Sequence, residues 1–304
     1  MAIQMRRGAY AEFDPLKMKA GEWAVSTDSD TKKQQIWMCF APGIVKRMGT
    51  VEDFDVEIQR LIQSYLDGNN KLRSISGQTV IKSKSASQEM TYARANGAGY
   101  EIEQYVDRLL INILLIIMGK STDTQDVFGR GMSENASDEN LLLKTGTMNS
   151  KGLFWGENAG KAGVKVFGME NYWGNQWRRT AGLILTNGIA KVKLSPSTKD
   201  GSKATNYNTD GTGYIEILNS TPSGTNGGYI KDMLYTALGM FPKSITGSSS
   251  TYYPDGCWFN IAIIAFALFG GTLDNGRHCG AFSVRLIVVA GIVGWSFGAS
   301  LSYK

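Results

Sequence analysis

The most apolar stretch of this 304-residue chain is short. It runs from Leu109 to Met118, ten residues interrupted by Asn112. A membrane-spanning helix needs about 20, so the stretch reads as a buried helix and predicts no membrane insertion. Elsewhere the apolar residues come in brief runs, such as Gly152-Leu153-Phe154-Trp155, Val164-Lys165-Val166-Phe167, Ala190-Lys191-Val192-Lys193-Leu194 and Tyr214-Ile215-Glu216-Ile217-Leu218. Loops of Gly, Ser, Thr and Asn separate them. With 36 Gly, 6 Pro and 19% charged residues, the composition is that of a loop-rich folded protein and not a disordered one. One strong helix among many short strands in long loops predicts an α+β fold.

The net charge of +5 is spread out; the densest basic groups are the pairs Arg6-Arg7, Lys46-Arg47 and Arg178-Arg179. A nucleic-acid binder concentrates such residues in a stripe, so no nucleic-acid partner is expected. Cys39, Cys257 and Cys279 make neither a disulfide framework nor a zinc spacing, and His278 is the only histidine. No metal and no cofactor are expected. Arg6-Arg7 is followed by Gly8-Ala9-Tyr10-Ala11-Glu12 and not by an apolar run, so no signal peptide is expected and folding is assigned to a reducing cytoplasm.

Residues 1–50 read as a small β module. Gly21 to Asp28 and Gln35 to Phe40 form strands around a polar turn, and Pro42-Gly43 turns into Ile44 to Met48. For 51–68 the pattern predicts a linker or trimerisation helix, capped by Thr50 with Asp53 and carrying Phe54, Ile58, Leu61, Ile62, Tyr65 and Leu66 up to Asp67-Gly68. The remainder, 69–304, is taken as one domain. Its polar start, 69–99, reads as a connector. Tyr100 to Met118 reads as a helix buried on most sides, with Tyr105, Leu109, Ile113 and Ile116 or Ile117 on its inner face.

Two stretches resemble known families. Ile3-Gln4-Met5-Arg6-Arg7-Gly8, Phe13, Ala20 to Asp28, Ile36 and Val45-Lys46-Arg47-Met48 resemble the small N-terminal domain of phage tail fibres and tropism-determinant proteins. That resemblance implies a trimeric attachment piece without catalytic residues. Val166-Phe167-Gly168-Met169-Glu170-Asn171-Tyr172-Trp173-Gly174-Asn175-Gln176-Trp177 resembles the core of the formylglycine-generating-enzyme type of C-type-lectin fold. The Gly/Trp/Asn-rich end of the chain suits the same fold. There Trp173, Trp177, Trp258 and Trp295 are expected as buried scaffold. Together the stretches look like the variable proteins of phages and prophages with diversity-generating retroelements. The reactive cysteines of the enzyme branch and the calcium motif of the sugar-binding branch have no counterpart here.

Such retroelements mutate adenines, chiefly in Asn codons, and the product codons cannot encode Lys, Glu, Gln, Met or Trp. Residues 1–243 hold 19 Lys, 12 Glu, 10 Gln and 12 Met, whereas 244–303 hold none of the four; Trp does occur there, and Trp258 and Trp295 must then be fixed scaffold positions. A buried, Gly-rich β region also avoids long polar side chains, which accounts for part of the deficit. The resemblance therefore implies a variable region at about 257–298. The expected ligand-binding face is Ile261, Ile263, Ile264, Phe266, Phe269, Leu273, Arg277, His278, Ser283, Arg285, Ile287, Val288, Ile292, Val293, Ser296 and Phe297. Phe282, Val284 and Leu286 alternate with Ser283, Arg285 and Ile287 and are expected to anchor a strand from beneath.

The expected function is non-enzymatic: receptor binding by a phage tail, in the virion, as a homotrimer alongside other tail proteins. The target is a host cell-surface protein or glycan. The alternatives are a structural virion protein without a receptor and a tail-borne enzyme of the formylglycine-generating type. Asp255 and Asp274, the only acids after Ser244, sit beside Gly256 and Asn275 and read as turn residues.

Overall fold

A computed structural model describes residues 5–19, 23–26, 29, 35–41, 44–50, 63–194, 207–217, 221–224 and 227–303. The fold is α+β, and the chain divides into two compact units, Met1–Gln59 and Arg60–Lys304.

The first unit is a four-stranded sheet in the order β1 (Met5–Gly8), β2 (Trp23–Ser26), β3 (Gln35–Ala41), β4 (Ile44–Thr50). Strands β1 and β2 are parallel and the other pairs antiparallel. Among the described residues its core holds Met18, Ala24, Trp37 and Cys39, with Phe13 stacked on Trp37 at 4.1 Å. Thr50, expected to cap a helix, is instead the last residue of β4, paired with Gln35. Residues 51–62 of the expected helix lie outside the described residues. Its C-terminal part is a hairpin, β5 (Tyr65–Leu66) against β6 (Leu72–Arg73). The Asp67 carboxylate closes this turn by accepting the backbone N–H of Asn69 and of Lys71, and Asn70 takes φ 57. At Tyr65 and Leu66 this local turn chemistry overrides the helical spacing.

The second unit holds three helices among the described residues. Helix α1 (Ala86–Arg94) lies in the stretch expected as a connector. Ser85 and Gln88 form its capping box, and Ala86, Glu89, Met90 and Ala93 are buried. After β7 (Tyr100–Ile102) comes α2 (Tyr105–Gly119), then α3 (Thr124–Phe128). The buried face of α2 is Tyr105, Arg108, Ile111, Asn112 and Leu115, while Ile113 and Ile117 are exposed. The expected inner face is therefore wrong beyond Tyr105, and the helix is not buried on most sides. Its apolar residues surround it and set no phase. The phase comes from two polar residues with partners inside: Arg108 pairs with Glu103 at 3.1 Å, and Asn112 donates to the Ala281 carbonyl at 2.9 Å.

The hairpin β8 (Lys165–Val166) and β9 (Met169–Glu170) leads into β10 (Trp177–Thr186). Between them Asn171, Gly174 and Asn175 adopt positive φ. A side chain at Gly174 would start 2.8 Å from the Met132 carbonyl oxygen, so only glycine lets these segments meet. Trp173 donates its indole N–H to the Gly129 carbonyl, and Trp173 and Trp177 are buried.

Strand β10 is the axis of the main sheet. The chain continues through β11 (Ile189–Val192), β12 (Ile215–Glu216), β13 (Gly227–Tyr229), a separate hairpin β14 (Asp232–Thr236) and β15 (Gly239–Ser244), then β16 (Gly256–Phe259), β17 (Ile264–Phe269) and β18 (Val284–Leu286). The order across the sheet is β12-β11-β10-β17-β18-β16-β13, with β19 (Phe297–Gly298) parallel to β10. The final strand, β20 (Leu301–Tyr303), pairs with β7. Of the runs expected as strands, 152–155 contributes only a bridge from Trp155 to Lys165.

Candidate ligand-binding surface

A row of side chains crosses the main sheet at one level. Gly227 on β13 pairs with Trp258 on β16, Trp258 with Arg285 on β18, Arg285 with Leu268 on β17, and Leu268 with Arg179 on β10. Paired residues in a sheet point to one face. The alternation on β18 agrees: Val284 and Leu286 are buried, and Arg285 between them is half-exposed. The row is buried at its β10–β17 end, where Leu268 joins Trp177 and Phe297 in a buried cluster, and Trp258 and Val288 pack against that cluster part-exposed.

Aromatic rings continue the row toward β13. The Trp258 ring is 5.3 Å from that of His278, and His278 stacks on Tyr229 at 3.9 Å with ring planes 13° apart. Any side chain at Gly227 or Gly256 would collide with the Trp258 indole at 2.3–2.4 Å, so both glycines make room for it. Burial holds the His278 imidazole below its ordinary pKa, which leaves it neutral at pH 7.

Strands β16 and β18 run parallel, and their ends lead into two adjoining apolar segments. Asn260 donates its N–H to the Leu286 carbonyl, and Phe266 donates to that of Val288. Ile261, Ile264, Val289, Ile292 and Val293 are exposed there. The second segment is fastened to α1, where the Ser83 and Ala86 N–H groups donate to the Gly294 and Ala290 carbonyls at 2.9 Å. These apolar groups therefore stand on a backbone held by hydrogen bonds.

The expected ligand face divides. Ile261, Ile264, Ile292 and Val293 are exposed, and Ile263, Arg277, His278, Arg285, Ile287, Val288 and Ser296 are partly exposed. Phe266, Phe269, Leu273, Ser283 and Phe297 are buried and cannot display a side chain. Phe266 sits opposite Ile184 in the core with Ala86 and Met90. Phe269 stacks on Tyr105, and Phe297 lies in the cluster with Trp177. The Leu273 carbonyl accepts from Asn135, and Ser283 is bonded through its backbone to Gly270 and Gly280, so both are enclosed in the loop packing. Arg277 is spoken for by Asp123 and Asp126 at 2.8 and 2.7 Å. Trp258 and Trp295, expected as buried scaffold, are half-exposed. The alternation Cys257-Trp258-Phe259 carried that signal for Trp258; nothing in the local sequence marks Tyr229, which β13–β16 pairing delivers.

Cys257 and Cys279 are fully enclosed, and burial pushes both thiols well up. A reactive thiolate needs the opposite environment. Asp255, expected in a turn, is also buried; it accepts the Phe282 N–H at 2.7 Å, and burial raises it to about 8. Among the described residues no group of three or more His, Cys, Asp and Glu could hold a metal ion, and no helix is long and apolar enough to cross a membrane. No protein-family model matches the chain, and no curated protein matches it.

Proposed function

We propose that residues 60–304 form a ligand-display domain of the C-type-lectin type, carried on a phage tail, which binds a host-surface molecule through the surface around Trp258 and Arg285. The observation that carries this reading is the set of exposed side chains Ile261, Ile264, Val289, Ile292 and Val293, standing on hydrogen-bonded backbone beside an aromatic row. Contiguous exposed apolar groups are a mark of binding surfaces. The absence of Lys, Glu, Gln and Met from 244–303 is what diversification at Asn codons leaves behind. The enclosed thiols weigh against an oxidase of the related enzyme type. The N-terminal unit is read as the trimeric attachment piece of the same virion protein, and a trimer raises the avidity of a weak site. Light scattering at micromolar concentration tests the assembly, and a monomer overturns it.

The test of display is a virion carrying Ile264→Asn, Ile292→Asn and Val293→Asn together. The expected result is a chain that melts within a few degrees of the parent and particles that no longer adsorb to the host. Normal adsorption overturns the reading in favour of a structural role.

A further inference from the structure

Resting on that reading of the surface, we infer that Arg285 anchors a carboxylate, and that the ligand is a protein segment presenting Asp or Glu among apolar side chains. Residues 244–303 contain two arginines and no lysine. Arg277 is ion-paired to Asp123 and Asp126. Arg285 makes no hydrogen bond or ion pair with any described residue, and its Nε is buried without an acceptor. It rests on the Phe297 ring, guanidinium carbon 5.6 Å from the centroid, and lies between Trp258 and Leu268 in the cross-strand row. Burial pulls its pKa down, the sign of a cation short of solvent. The exposed Asp274 acts on it only at a distance.

Arg179, in the same row, has its charge matched within the chain. It pairs with Glu89 at 2.8 Å and donates to the Lys84 and Ile292 carbonyls. At Arg285 no corresponding partner is present among the described residues. A guanidinium fork matches a carboxylate in two parallel hydrogen bonds, and a partly desolvated setting strengthens such a pair. The surroundings decide between carriers of that carboxylate. An acidic glycan brings many hydroxyls, and the exposed or part-exposed side chains around Arg285 (Trp258, Val288, Ile292, Val293) offer them few partners. An apolar peptide segment with one acid satisfies both the rings and the cation.

The probe is a bead library of blocked random hexapeptides, screened with the labelled full-length chain, with Arg285→Gln and with Arg285→Lys. Beads selected by the parent are expected to be enriched about tenfold in Asp or Glu next to an apolar residue, the worth of one charge-assisted pair. Arg285→Gln abolishes the enrichment, and Arg285→Lys, which keeps charge but not the fork, reduces it. All three proteins melt alike. No acidic enrichment with the parent, or an enrichment that survives Arg285→Gln, overturns the inference. So does Arg285-dependent retention of polysialic acid without selection of acidic peptides. Virions tell the two readings apart. If Arg285→Gln particles adsorb normally while the Ile264, Ile292 and Val293 triple variant does not, the anchor falls and display stands. If the triple variant also adsorbs, display itself falls.

Discussion

Arg179 and Arg285 approach the same Phe297 ring, with guanidinium carbons 5.3 and 5.6 Å from its centroid, yet among the described residues only Arg179 of the two has an ionic partner. Both belong to one row across the sheet, separated by Leu268. The two positions should respond oppositely to loss of charge. Arg179→Met leaves Glu89 buried and unpaired, and such a change costs about 3–5 kcal/mol. Arg285→Gln removes a cation with no ionic partner among the described residues and only a ring contact, and should shift stability by about 1 kcal/mol or less. Urea unfolding of the two variants checks the contrast; equal losses would contradict the pairing.

Asp255 should make stability depend on pH. Its folded pKa is raised to about 8, with burial as the main cause. The folded chain then holds a proton that the unfolded chain has released, from the ordinary carboxylate range up to about 8. Stability therefore falls as pH rises through that window and levels off above it. Asp255→Asn removes the ionisation. Calorimetric melting between pH 5 and 8 should show a downward slope in the parent that is flatter in the variant.

The tryptophans should separate by burial. Trp177 is fully enclosed against Leu268 and Phe297, so Trp177→Ala should cost about 3–5 kcal/mol. Trp258 packs over the same cluster but stays half-exposed. Trp258→Ala should cost about 1–2 kcal/mol and leave the fold intact. Denaturant titration orders them, and a Trp177→Ala protein as stable as the parent would refute the packing.

Gly174 should tolerate no side chain. Its φ is +73, and an added methyl would meet Met132 backbone atoms at 2.8–2.9 Å. Gly174→Ala is expected to lower stability by more than about 1 kcal/mol, through both strain and collision. Thermal melting reads the effect directly.

What the sequence determined by itself was local. The alternation at 284–286 assigned Val284 and Leu286 to the core and Arg285 to the other face, because side chains in a strand alternate; Ser283, expected on the face of Arg285 but lying before the strand, is buried. The resemblance carried by the Trp173-Gly174-Asn175-Gln176-Trp177 run implied a tightly turned core, and the strands around the polar turn after Ser26 followed from turn residues between apolar runs. Only the tertiary structure decided the rest. In β17 both faces are covered, so Phe266, Leu268 and Phe269 are all buried, and no alternation separated them from the exposed Ile264. In α2 every side was apolar, and the inward face was chosen by polar partners distant in sequence, Tyr172 and Ala281. Tyr229 joined His278 and Trp258 because β13 pairs with β16 across an intervening hairpin. Burial on two faces erases the periodic signal, and long-range pairing leaves none, so those parts of the surface exist only once the chain has folded.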